Sequence, residues 1–186
     1  DNINLDTTQF PGPYRFELKR GDGFTLNNPV NIAVLNSNFF ESYIDTTFTD
    51  SLINTSDNPY SYRVDFFSNG GNVLVGSSEP ASSVYLNITA ADNRLNLSWE
   101  ENTPWVNDSF FIFRKLPNNS LFESIGATVQ RSYADNNLTN DSTYCYYVRS
   151  VGQYTATNLP NQKLNNNSQI KCAAPLDTIS PCPPQL

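Results

Sequence analysis

Residues Tyr133–Tyr154 read YADNNLTNDSTYCYYVRSVGQY, and an altered copy stands earlier as FTDSLINTSDNPYSYRVDFF, Phe48–Phe67. In both copies an aromatic and an aspartate (Phe48 and Asp50; Tyr133 and Asp135) precede an apolar residue, Ile53 or Leu138. A polar turn follows. Then comes strict alternation, Tyr60, Tyr62, Val64 in one copy and Tyr144, Tyr146, Val148 in the other. A period of two with bulky residues on one side is the pattern of a strand that buries one face. Tyr60 and Tyr144 lie about 84 positions apart, which is domain spacing, so the chain is read as a repeat.

Leu138 lies six residues before Tyr144, the spacing of a tyrosine corner at the E–F bend of an immunoglobulin-like sandwich. There the ring enters the core while the hydroxyl bonds backbone across the corner. Tyr60 and Tyr144 are the expected corner residues. The chain has 186 residues, ten Tyr, twelve Phe and twelve Pro, and long Ala/Leu/Glu/Lys segments with helical period are missing. That mixture favours short strands joined by turns. The expected fold is all-β: two tandem immunoglobulin-like β-sandwiches, the first lacking its first strand.

Outward from the repeat, Asn2–Thr7 (NINLDT) aligns with Arg94–Ser98 (RLNLS) as strand B, and Val84–Thr89 supplies a strand A only in the second module. Further strands are expected at Tyr14–Arg20, Val30–Leu35, Glu41–Phe48, Tyr60–Phe67 and Asn72–Ser77. The second module adds Phe110–Lys115, Leu121–Gly126, Thr128–Tyr133, the Tyr144 strand and Ser168–Ala173, with a long loop Thr155–Asn166. The register of Tyr14–Arg20 against Phe110–Lys115 stays ambiguous by one residue, which would exchange faces. Glu79–Ser83 (EPASS) is the expected boundary. The modules are therefore read as residues 1–80 and 81–175. Residues 176–186, with prolines at 181, 183 and 184, read as a linker to a further module.

A net charge of −7 would repel a phosphate backbone, so nucleic acid is not expected as a partner. No apolar run approaches the ~20 residues of a membrane-spanning helix. Histidine is absent, which removes the usual serine triad, and Glu100 and Glu101 point to opposite faces of a strand. Cys145, Cys172 and Cys182 make a poor zinc site without histidine. No catalytic residue, metal ligand or cofactor site is expected. Arg20-Gly21-Asp22 spells an integrin-type tripeptide, but a tight turn after a strand explains GDG sufficiently.

Cys145 and Cys172 would lie on strands F and G, antiparallel neighbours in this fold. Pairing them also pairs 152 with 165, where the loop should begin and end. A cross-strand disulfide is expected, with Cα atoms roughly 4.4–6.8 Å apart and Cys145 facing away from the core. Trp105, Tyr147 and Tyr154 are candidates for an aromatic surface that meets a sugar ring, and Trp99 is assigned to the core.

Three stretches carry a narrower likeness: Tyr-Cys-Tyr-Tyr-Val (144–148), Ser-Gln-Ile-Lys-Cys-Ala-Ala-Pro (168–175) and Asp-Thr-Ile-Ser-Pro-Cys-Pro-Pro (177–184). They resemble fibronectin type III modules that precede the C-terminal domain of gliding-motility-associated surface proteins of Bacteroidota. The resemblance implies export by the type IX secretion system, a secreted or outer-surface location, and no enzyme activity in these modules. The expected partners are other protein modules or surface and secretion components, and the aromatic residues Trp105, Tyr147 and Tyr154 add glycans as a further class. Thr178, in an Asp-Thr-Ile tripeptide of the exposed tail, resembles an O-glycosylation site of that phylum. The alternative reading is an accessory carbohydrate-binding region of a secreted enzyme.

Overall fold

The computed structural model describes residues 5–40, 47–51, 53–156 and 162–177. It is all-β, with antiparallel strand pairing in three sheets and no α-helix among the described residues. Contacts divide the chain into two units: residues 1–83 with 101–106 and 153–163, and residues 84–100 with 107–152 and 164–186.

In the first unit β1 (Tyr14–Asp22), β2 (Asn27–Ser37), β3 (Tyr60–Ser68) and β4 (Val73–Ser77) form one sheet in the order β2-β1-β3-β4, and β5 (Ala81–Ser82) also pairs with β3. β1 carries Tyr14, Phe16, Leu18 and Arg20 on one side and Arg15, Glu17 and Lys19 on the other. The β1–β2 hairpin differs from expectation. The strand runs through Gly21 and Asp22, and the turn begins at Gly23, whose φ of 73° a side chain would resist. A Cβ at Gly21 would stand 2.6 Å from the Leu26 backbone, so close an approach requires glycine. At the other hairpin Asn69 and Gly70 take φ of 52° and 64°, positive values that Asn and Gly tolerate best.

Two strands expected in this unit differ from the structure. Leu5–Thr7, the described part of the expected strand Asn2–Thr7, is turn and irregular chain, and Asp6 folds it locally by accepting bonds from the Thr8 and Gln9 amides. Thr47 and Phe48 are likewise outside any strand, and residues 41–46 of the expected strand Glu41–Phe48 lie outside the described residues. Ala81 and Ser82, assigned to the boundary segment, instead pair with Tyr62 and Ser61 in the first sheet.

The second unit has two sheets. β6 (Tyr85–Ala91), β7 (Arg94–Glu100) and β10 (Ser132–Asn136) are ordered β10-β7-β6. β8 (Val106–Lys115), β9 (Glu123–Thr128), β11 (Tyr144–Gln153), β12 (Leu164–Asn167) and β13 (Lys171–Ala173) make the other, β12-β11-β8-β9 with β13 also on β11. Leu86, Leu95, Leu97 and Trp99 from one sheet and Phe110, Ile112, Tyr146 and Val148 from the other are at most 2 % exposed and form one core. Alternation is why: each of these residues is followed by one that points away.

The last strand is broken. Cys145 pairs with Cys172, but Gly152 pairs with Leu164 rather than the expected 165. Between β12 and β13 the register slips by one. At the slip Ser168 exchanges backbone and hydroxyl bonds with Val148, and Gln169 reaches the other sheet. Its side-chain amide accepts from the Leu86 N–H at 3.0 Å and donates to the Leu86 carbonyl at 2.9 Å.

Candidate interaction surfaces

The most specific polar arrangement occurs twice. Arg114 Nη1 donates to both carboxylate oxygens of Asp135 at 3.0 and 2.9 Å, and the Tyr146 hydroxyl donates to Asp135 Oδ2 at 2.8 Å. In the first unit Arg20 Nη1 donates to Asp50 at 3.0 and 2.9 Å, and Tyr62 donates to Asp50 Oδ2 at 3.3 Å. Burial followed by the Asp50 charge pushes the Tyr62 phenol up to about 12. Burial and the bond to Asp135 push Tyr146 up too. These triads tie the segment before the corner to the sheet beneath it. They neutralise themselves and leave no group poised for chemistry.

The corner residues differ between the copies. Tyr144 is 6 % exposed and its hydroxyl accepts from the Thr139 N–H at 3.1 Å, one residue beyond buried Leu138. Tyr60 is only half-buried, with the Arg20 guanidinium 5.6 Å from its ring centre. The tyrosine that reaches backbone in the first unit is instead Tyr14, donating to the Phe10 carbonyl at 3.0 Å.

Cys145 and Cys172 are joined, with Cα atoms 4.0 Å apart, closer than the expected span. Cys145 is on the side of β11 opposite Tyr144 and Tyr146, yet it is 8 % exposed.

The outer faces of the two large sheets contrast. In the first unit Lys19 Nζ lies 2.8 Å from Asp65 and 3.8 Å from Glu17; Arg15 lies 2.7 Å from Glu17. Arg63 Nε also lies 2.8 Å from Asp65 Oδ1, and its Nη2 donates to Asp65 Oδ2 at 3.2 Å. Asp65 is 2 % exposed. Burial alone would raise its carboxyl, but hydrogen bonds from Lys19, Ser77 and Arg63 outweigh it and hold the group down at about 2. Every charge on this face has an opposite neighbour.

In the second unit the same side of the sheet is a ladder of rings. Phe113 and Tyr147 stack at 4.5 Å and 4°, and Phe122 meets Tyr147 edge-on at 5.1 Å. Arg149 caps the Phe113 ring at 5.3 Å and Lys115 caps Phe122 at 5.6 Å. Arg149 Nε also donates to Asn167 Oδ1 at 2.9 Å.

Of the residues expected to form an aromatic surface, Tyr147 therefore belongs to this ladder. Trp105 and Tyr154 pair with each other in the first unit, edge-on at 5.9 Å and 73°. Trp99 is in the core, tilted against Phe110 at 5.3 Å. Thr178 and Cys182 lie outside the described residues. Among the described residues no group of three His, Cys, Asp or Glu could hold a metal ion, and no helix is long and apolar enough to cross a membrane. Phe113, Phe122, Arg149 and Lys115 were missed by sequence reasoning; the signal was the run Phe110–Lys115, in which the core residues were recognised and their outward neighbours left without a role. Compared with protein-family models the chain matches none, and no curated protein matches it.

Proposed function

We propose that the chain is a non-enzymatic structural and adhesive segment of a secreted, surface-associated bacterial protein, built of fibronectin type III-like modules and exported by the type IX system. Its partners are other protein modules or surface and secretion components. The observation that carries the reading is the Cys145–Cys172 bond between adjacent strands, because such bonds persist in oxidising compartments and are rare in the cytosol. Further support comes from the strand grouping of the second unit. Its first, second and fifth strands share one sheet and the remaining ones the other, the arrangement such a module requires.

The reading is tested on intact cells of the source bacterium with an amine-reactive biotin reagent that does not cross membranes. Labelling of the protein before lysis, with Cys145 and Cys172 resistant to alkylation, is expected. Labelling only after lysis, with both thiols alkylated, overturns it. A second reading, an accessory carbohydrate-binding region of a secreted enzyme, is favoured by one observation, the ring ladder on β8 and β11.

A further inference from the structure

We propose that the outer face of the β9-β8-β11-β12 sheet binds an anionic polysaccharide, one bearing uronate or sulfate groups along its chain. The inference deepens the adhesive reading above by naming the ligand class, and it rests on that reading only for where the ligand would be met.

Charge sets this face apart. Outward positions on β8 and β11 are occupied by Phe111, Phe113, Lys115, Tyr147, Arg149 and Val151. None is acidic. Glu123, the nearest carboxylate on β9, pairs with Arg114, on the other side of the sheet from Phe113 and Ser124. Among the described residues Lys115 and Arg149 thus have no carboxylate partner, in a chain whose net charge is −7. The repeat supplies an internal control. The corresponding face of the first unit also bears cations, Arg15, Lys19 and Arg63, and it answers them with Glu17 and Asp65. One face is closed on itself electrostatically; the other lacks its anions.

Geometry then narrows the class of ligand. The stacked rings of Phe113 and Tyr147 use their faces on each other and on Arg149, so their hydrogen-bearing edges, the positive rim of the ring, are left for a ligand. An edge surface favours oxygen-rich partners over flat apolar ones. The two cations cap different rings, Phe113 and Phe122, which suits a polymer with anions at intervals. Asn167 adds an amide beside Arg149, able to meet a hydroxyl or ring oxygen. The surface is built of strands rather than of a helix, matching an extended chain.

The test is affinity electrophoresis of the full chain through gels containing alginate, dextran or polyglutamate. Retardation is expected in alginate alone, and about 0.5 M salt should abolish it by screening. Arg149→Gln and Lys115→Gln should each weaken retention about threefold to fivefold, as for exposed ion pairs, and the double variant about tenfold or more. Arg94→Gln, on β7, should change nothing. In the unsubstituted protein, NMR shifts on titrating alginate oligomers should concentrate at Phe113, Tyr147 and Arg149. Absent retardation, or retardation the double variant keeps, overturns the proposal. Equal retention by polyglutamate overturns it in favour of an acidic protein partner. Surface labelling of intact cells is a separate measurement and stands whichever way this one falls.

Discussion

Val64 and Val148 occupy corresponding places in the two copies of the repeat, yet Val148 is fully buried and Val64 is 38 % exposed. The polar framework around them is the same: Arg20, Asp50 and Tyr62 repeat the bonds of Arg114, Asp135 and Tyr146. The difference is the layer above. In the second unit β6, β7 and β10 cover the face, whereas the described strands of the first make one sheet. A polar triad therefore fixes where a segment sits without supplying burial. The apolar term, roughly 25 cal/mol per Å², has to come from the covering sheet.

The largest difference is expected at the core. Trp99→Ala should cost about 3–5 kcal/mol because it removes a large buried ring and leaves a cavity. Val64→Ala, by contrast, should cost under about 1 kcal/mol. Urea denaturation of both variants of the full chain checks this, and similar losses would mean the two faces are equally buried.

Next in size is the disulfide, which separates residues 27 apart. Reduction should remove about 3 kcal/mol, by loop-entropy reasoning, from the second unit alone. Hydrogen exchange should show lost protection at Lys171–Ala173 and along β11, with β1 and β3 unchanged. Uniform loss across both units would tie them into one cooperative block.

Acid acts on the other unit. Asp65 has its carboxyl depressed in the folded state, so its contribution is complete above the unfolded value of about 4 and is lost as pH falls through about 2. Asp65→Asn should cost on the order of 2 kcal/mol at neutral pH and flatten the acid limb between about pH 4 and 2. Denaturant midpoints of the two proteins across that range give the answer. A variant with an unchanged acid limb would remove Asp65 as the cause. The two triads should differ least: Asp50→Asn should cost about 1 kcal/mol, and Asp135→Asn, whose carboxylate accepts from Arg114 and a fully buried tyrosine, about twice that, by the same urea denaturation.

Much of the fold was legible because strand period is a local signal. Leu95, Leu97 and Trp99, like Tyr144, Tyr146 and Val148, announce their buried face by alternation. The register of Tyr14–Arg20 was not legible, since Phe16-Glu17-Leu18 and Phe110-Phe111-Ile112 each allow two alignments. The Arg20 and Arg114 triads settle it by placing Leu18 with Ile112. Those triads join residues 30 and 21 apart, and no periodicity links an arginine to an aspartate that far off. The one-residue slip between Asn167 and Lys171 was hidden for a similar reason: the pairing of a strand's two ends is fixed by side-chain bonds at Ser168 and Gln169, not by pattern. The strand expected at Asn2–Thr7 shows the opposite error. Its alternation is real, but Asp6 turns the chain at Leu5–Thr7 before the pattern can extend. The outer ladder was half visible, Tyr147 being named while Phe113 and Arg149 were not.

Gln169 carries a consequence beyond its own bonds. β6 is a border strand of seven uncharged residues, and such a strand invites a neighbouring molecule to continue the sheet. A single amide imitates the two backbone groups a new strand would present, and it occupies both bonding positions of Leu86. Lys171, whose Nζ donates to Asn87 Oδ1 at 3.4 Å, and the Leu176 N–H, which donates to the Ala91 carbonyl at 3.2 Å, close more of the same border. Removing the Gln169 amide would open both bonding positions of Leu86, and its loss would show first as clumping rather than as unfolding.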